Sequence, residues 1–328
     1  MLHTTRRRLL TSIGAGAALL ATGCLPALAA FVPEPIEAGF FPVKGGAAWY
    51  RLNGREHFAR GKTPLVVAHG GPGMSHHYLL PLVALADERP VIFWDQLDSG
   101  HSQRPGKPEN WTVERFVSEI DDLRAALGLD RLVLFGNSWG GSIAIEYAAQ
   151  QPPGLVAAVI SSPLVSTKRW IDDNTAYRRE LPAETQVILD KHEQAATTDS
   201  QEYQDAAMVF YRQHFNRRDP WPDELNRTFE VLNPDLYVAM WGPTEFKATG
   251  TLKDYDATDK LAKIAVPTLF TAGEFDEATP AAVKEFAGMV PNGTVEIIPD
   301  ASHTAFLEQT DAYLEVVRAF LKTHAQDA

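Results

Sequence analysis

Five residues, Gly136-Asn137-Ser138-Trp139-Gly140, follow the apolar run Leu132–Phe135 and precede a helical stretch beginning near Ser142. A serine on so tight a turn, between a buried strand and a helix, has its hydroxyl lifted clear of the sheet edge. That placement suits attack on a carbonyl, provided a base removes the hydroxyl proton. Downstream, the run Thr268–Ala272 ends in Gly273-Glu274-Phe275-Asp276-Glu277, and Pro299-Asp300-Ala301-Ser302-His303 stands just ahead of the last helical stretch. The order serine, acid, histidine fits a catalytic triad. Ser138 is the nucleophile, His303 the base and Asp276 the acid that orients it; Glu274 and Glu277 are the alternatives for the acid. The oxyanion formed on attack needs two fixed N–H donors. The backbone of Trp139 supplies one. The glycine loop His69-Gly70-Gly71-Pro72-Gly73 supplies the other, with Gly71 preferred and Gly70 the alternative.

The remaining histidines offer no competing centre by spacing. His192-Glu193 lacks the second histidine of H-E-x-x-H, and His192 and His214 read as surface or packing residues. His76 and His77 follow the third strand and either line the cleft or support it. No metal and no cofactor are expected.

These residues must be held by a scaffold, and the chain spells one out. Glu37–Val43 and Ala47–Leu52 flank Gly45-Gly46, a hairpin signal. Short β-branched runs follow at 65–68, 91–94, 132–135 and 156–160, separated by amphipathic stretches such as Phe116–Leu127. This alternation implies a mostly parallel sheet with helices on both faces, with ligands at the carboxyl ends of the strands. From 163 to 262 strand signals vanish and aromatics and helix formers take over, which reads as a helical cap inserted between the sixth and seventh strands. The core is then 30–162 with 263–328, with strands resuming at 266–270 and 294–298 and a last helix over about 306–322.

Composition bounds the function. A net charge of −12 with 22% charged residues argues against nucleic acid or an anionic membrane as partner. Arg6-Arg7-Arg8, an apolar stretch and Ala27-Leu28-Ala29 make residues 1–29 an export signal of twin-arginine type. Losing its three arginines takes the charge from −12 to −15. The apolar stretch is too short to span a membrane. The expected location is therefore periplasmic or secreted. The single cysteine, Cys24, lies in Ala21-Thr22-Gly23-Cys24, a candidate lipid-anchor site; cleavage after Ala29 would leave a chain without thiols.

The glycine loop at 69–73, the elbow Gly136–Gly141 and the segment Asp95-Gln96 through Gly100-His101-Ser102 together resemble the proline iminopeptidase family, serine peptidases of the α/β-hydrolase fold. Leu97-Asp98 and His101 depart from that pattern, standing where an arginine or aromatic, a glycine and an arginine are usual. The cap stretch from Gly242 to Asp256 and the run 273–280 are similar to the branch with the tricorn-interacting aminopeptidase and amino-acid amidases. The resemblance implies release of an N-terminal residue, often proline, from short peptides or amides. A free ammonium must then be recognised beside the scissile carbonyl, which carboxylates in a desolvated cleft can do. By this resemblance Glu245 makes that contact, with a second carboxylate from the cap for which Glu224 and Glu202 are guesses. Trp139, Phe246 and Trp241 would line the pocket for the first side chain. The competing expectations are an amino-acid amide hydrolase with the same triad, a general esterase or lactonase, and a binding protein that kept the fold without catalysis.

Overall fold

A computed structural model describes residues 34–35 and 37–325. The export signal and Cys24 lie outside the described residues. In chain order, β1 (Glu37–Val43) and β2 (Gly46–Asn53) form a hairpin, followed by β3 (Leu65–Ala68), β4 (Val91–Asp95), α1 (Val113–Leu127), β5 (Leu132–Asn137), α2 (Trp139–Ala148) and β6 (Leu155–Ser161). Six helices come next: α3 (Thr167–Arg179), α4 (Ala183–Gln194), α5 (Gln201–His214), α6 (Asp223–Glu230), α7 (Pro234–Met240) and α8 (Thr258–Leu261). The chain closes with β7 (Thr268–Gly273), α9 (Pro280–Met289), β8 (Gly293–Ile298), α10 (Ala305–Glu308) and α11 (Thr310–His324).

The strands make one eight-stranded sheet in the order β1-β2-β4-β3-β5-β6-β7-β8. Only the β1/β2 and β2/β4 pairings are antiparallel. A parallel sheet covered on both faces needs strands that are apolar throughout, and β3, β4 and β5 are buried at every position. The pleat divides their side chains between two cores. Val66, Ile92, Leu134, Ile160 and Phe270 pack on one face with Phe116, Ile143 and Phe286 from α1, α2 and α9. Val67, Phe93, Phe135, Val159 and Leu269 pack on the other with Leu79, Leu82, Val317 and Phe320. Leu79 and Leu82 belong to a tight 3-10 segment, His76–Asp87, that carries Pro81 inside it. The helices after β6 keep a small core of their own around Leu189, Tyr203 and Phe210.

Two boundaries differ from the sequence expectation. β7 begins at Thr268 rather than 266, because Pro267 has no N–H to give the ladder; only its carbonyl accepts, from Ala158 N–H at 3.0 Å. The last helix is broken at Gln309 into α10 and α11. The parallel strands β3 to β8 all run the same way, so the turns leaving β3, β4, β5, β7 and β8 gather at one rim of the sheet.

Candidate active site

Ser138 stands between β5 and α2 with φ 57° and ψ −121°, a backbone conformation outside the ordinary helical and extended regions. Glycine on either side makes that turn possible. A Cβ on Gly136 would come 2.1 Å from the Gly140 carbonyl oxygen, and one on Gly140 would come 2.3 Å from that of Ala68. The Ser138 N–H donates to the Ser161 carbonyl at 3.0 Å, and its own carbonyl accepts from Gly141 and Leu164. The turn is thereby fixed to β6 as well as to α2. Trp139 is the first residue of α2, so its N–H is one of the first-turn donors that no carbonyl within the helix can satisfy.

The glycine loop after β3 packs directly on this turn. A Cβ on Gly70 would lie 3.0 Å from Ser138 Cβ. The Gly70 N–H donates to Tyr78 Oη at 2.8 Å, and that hydroxyl donates to Asn137 Oδ1 at 2.8 Å. Gly70 is therefore committed, which leaves Gly71 as the loop donor of choice. Gly71 has φ 116°, and a Cβ there would meet the Gly73 and Met74 nitrogens at 2.7 and 2.8 Å. His69 braces the loop from beneath. Its Nε2 accepts from Gln96 N–H at 3.0 Å, so its Nδ1–H donates to the Gly70 carbonyl at 2.8 Å. Burial depresses its pKa to about 4, which keeps this arrangement neutral.

Asp276 is fully buried in the turn after β7 and accepts four hydrogen bonds. Oδ1 takes His303 Nδ1–H at 2.9 Å and Ala278 N–H at 2.8 Å; Oδ2 takes the Ser162 hydroxyl at 2.6 Å and Gly273 N–H at 3.1 Å. With Nδ1 held by Asp276, Nε2 is the nitrogen of His303 free to receive a proton. His303 itself is 2% exposed, with Phe215 stacked on it at 5.5 Å and Trp170 edge-on at 5.8 Å. The His214 carbonyl at the end of α5 accepts from both Glu277 and His303 N–H at 3.2 Å, tying the acid and base loops to that helix. Glu274, one alternative for the acid, instead accepts from Asp300 N–H near the surface.

Glu277, the other alternative, occupies a different place. It is 1% exposed, its Oε1 lies 3.7 Å from His303 Nε2, and among the described residues neither carboxylate oxygen has a hydrogen-bond partner. Burial, reinforced by the charges of Glu245 and Asp276, pushes its pKa well up. Glu245 is raised as well, chiefly by burial and against the hydrogen bond it accepts from Tyr237 and the nearby His303. The Glu245 backbone is pinned by Trp170 Nε1–H, which donates to its carbonyl at 3.0 Å, and by Tyr211 Oη, which accepts its N–H at 3.4 Å. Two carboxylates thus share a desolvated space beside the imidazole. The second is not recognisable from sequence, where Glu277, next to Asp276, fits only as a rival for the triad acid.

Several expected pocket residues lie elsewhere. Glu202 pairs at the surface with Lys191 and His192, at 2.7 and 2.8 Å. Glu224 is in the first turn of α6, which packs over the segment 76–87. The Phe246 ring is spent on cap packing, 5.2 Å from Phe210 and under the Arg178 guanidinium. The Trp139 indole turns into the main core, donating to Gln96 Oε1 and meeting Phe116 edge-on. Trp241 packs edge-on against Trp170 at 6.1 Å, one ring removed from His303. Trp170 and Phe215 carry no signal beyond their apolar character; they touch the imidazole because α3 and the end of α5 pack against it.

Two departures in the loop after β4 acquire reasons. Asp98 has φ 66°, a region aspartate tolerates better than most residues, and its carboxylate accepts from Gly106 N–H and Trp111 Nε1–H. His101 lies beside His76 and His77, and ring nitrogens of the three come within 4.8 Å of one another. No metal-ligand spacing marks them in the sequence, since the fold joins two separate loops.

The alpha/beta hydrolase fold family matches the chain over residues 63–310. The chain is 37% identical over 289 residues to a proline iminopeptidase of Heyndrickxia coagulans, covering 87% of this chain and 98% of that one. Among solved structures, VinJ superimposes with a TM-score of 0.85 at 40% identity, covering 88% of this chain and 99% of VinJ. The proline iminopeptidase of Mycobacterium smegmatis does so with 0.80 at 36% identity, over the same shares. With its elbow serine, glycine loop and buried acid–histidine pair set on a mostly parallel sheet, the chain belongs to the alpha/beta hydrolase fold family and, within it, to the proline iminopeptidases.

Proposed function

We propose that the protein is a serine aminopeptidase that releases N-terminal proline from short peptides. Ser138 Oγ attacks the carbonyl of the first residue while His303 Nε2 takes its proton. The Gly71 and Trp139 N–H groups hold the oxyanion. Collapse breaks the peptide bond, and His303 returns the proton to the departing amine, leaving an acyl ester on Ser138. Water, deprotonated by His303, then cleaves the ester and Ser138 regains its proton. Asp276 keeps the imidazole in the required tautomer throughout.

The observation that carries the reading is the Glu245–Glu277 pair. A buried carboxylate with no donor is costly, so it marks a place where a substrate cation completes the structure. A prolyl ammonium carries two N–H bonds, one for each carboxylate. An esterase or lactonase substrate offers no such charge. Smaller leaving groups, as in prolinamide, fit the same chemistry and belong in the substrate panel. We further infer export by residues 1–29, with Cys24 as a candidate anchor; both rest on sequence alone.

The direct test is a prolyl arylamide assay with acyl-enzyme trapping. Mass spectrometry of the quenched enzyme is expected to find a prolyl adduct on Ser138. Ser138→Ala is expected to abolish turnover while keeping the melting temperature. Undiminished turnover by Ser138→Ala would overturn the assignment.

A further inference from the structure

The loops after β3 and β4 bring together three histidines that the hydrolytic chemistry does not use. His76 and His77 stack at 4.3 Å between ring centroids, and His101 lies 5.7 and 5.2 Å from them. Beneath them is Asp95, fully buried at the end of β4. Its Oδ1 accepts from His76 Nδ1 at 2.9 Å, and its Oδ2 from His101 Nδ1 at 3.2 Å. The same two oxygens also accept the backbone N–H groups of His76 and His101, each at 2.8 Å. Because the carboxylate can only accept, both Nδ1 atoms carry the proton, and Nε2 is in each ring the nitrogen turned away from Asp95. His77 has its Nδ1 bonded to Ser75 Oγ at 2.9 Å.

A carboxylate that holds the far nitrogen of a histidine is the usual support behind imidazole metal ligands. One carboxylate here serves two such histidines. We propose that His76, His77 and His101 form a binding site for a divalent transition metal, zinc above all, with Asp95 orienting two of the three ligands. Three imidazoles plus a water complete a tetrahedral zinc shell. Ligand nitrogens within 4.8 Å of one another need small side-chain shifts to close on one ion. The entry path is on the His101 side, where the ring is half exposed while His76 is buried. Arg51, Arg104 and Arg227 place positive charge near these histidines and disfavour their protonated forms, and Asp95 is the anion that offsets them. His76 sits three residues beyond the glycine loop, so a bound ion would clamp that loop to the one after β4.

The test is calorimetric titration of the metal-free protein with zinc chloride, beside its His101→Arg and His77→Ala variants. Arginine can still donate to Asp95 but cannot ligate, and His77→Ala covers the case that His101→Arg does not fold. The wild type is expected to bind one zinc ion and to show the visible absorption of a tetrahedral site when loaded with cobalt. Each folded variant is expected to bind at least tenfold more weakly and to keep its metal-free hydrolytic rate. No binding by the wild type, or equal affinity in wild type and variants, would overturn the proposal.

Discussion

Replacing Glu277 by glutamine separates recognition of the amine from stability of the fold, and the two should move in opposite directions. Glu277 is buried with both oxygens unpartnered among the described residues, and its pKa lies well above the ordinary 4.5. The folded protein therefore holds the Glu277 proton more tightly than the unfolded chain does. Between 4.5 and the raised value the native state binds more protons, so stability falls as pH rises through that window. Glutamine removes that slope. At neutral pH the variant should be more stable by on the order of 1 kcal/mol, because folding makes Glu277 either bury a carboxylate or take up a proton, a cost that a neutral amide does not have. At pH 4 the difference should shrink. Recognition moves the other way. One charge-assisted hydrogen bond to the substrate ammonium contributes about 1.5–3 kcal/mol, or roughly 10- to 150-fold in kcat/KM. The assay pairs thermal or denaturant unfolding at several pH values with kinetics on a prolyl arylamide and an N-blocked ester. The ester should change by no more than about threefold, since it carries no ammonium to lose the bond. A variant less stable at neutral pH that still prefers free-amine substrates as the wild type does would refute the role given to Glu277.

Tyr237→Phe removes the hydroxyl that donates to Glu245, so the Glu245 pKa should rise further and its charge should be less available. Steady-state kinetics near pH 6 should show KM for free-amine substrates up by up to about tenfold, the worth of one hydrogen bond, with kcat retained. Gly140→Ala drives a methyl to 2.3 Å from the Ala68 carbonyl oxygen, a clash between backbone segments that no rotamer relieves. Its melting temperature should fall by several degrees or the protein should fail to fold, whereas a fully stable variant would mean the elbow is looser than its geometry indicates.

The sheet was legible because a strand buried on both faces has to be apolar throughout: Leu132–Phe135 and Leu65–Ala68 can hardly be read otherwise. The elbow was legible because Gly136 and Gly140 answer to steric limits that act within five residues. What escaped the sequence depends on contacts between distant segments. Glu277 is one residue from Asp276, yet its Oε1 lies by Nε2 of His303 and not by Nδ1, a distinction that the fold of the turn after β7 creates. Phe246 and Trp139 were expected at the pocket as aromatics of the right neighbourhood, but composition cannot tell a lining ring from a packing one; Phe210 and Phe116 decide it. The segment His76–Asp87 escaped for a local reason, since Pro81 and a continuous apolar run blur helical periodicity. Asp95 joining His76 to His101 likewise spans 19 and 6 residues of chain and follows from the loops after β3 and β4 meeting at the end of β4.

The most direct measurement compares kcat/KM for a short peptide beginning with proline and for the same peptide with its nitrogen acetylated. Acetylation leaves the scissile bond and the proline ring in place, puts an acyl group on the nitrogen, and removes the charge and both N–H donors that Glu245 and Glu277 would bind. Two charge-assisted bonds lost together amount to about 3 kcal/mol or more, so the free peptide should be cleaved at least about 100-fold more efficiently. Equal rates for the two peptides would contradict an aminopeptidase built on that carboxylate pair.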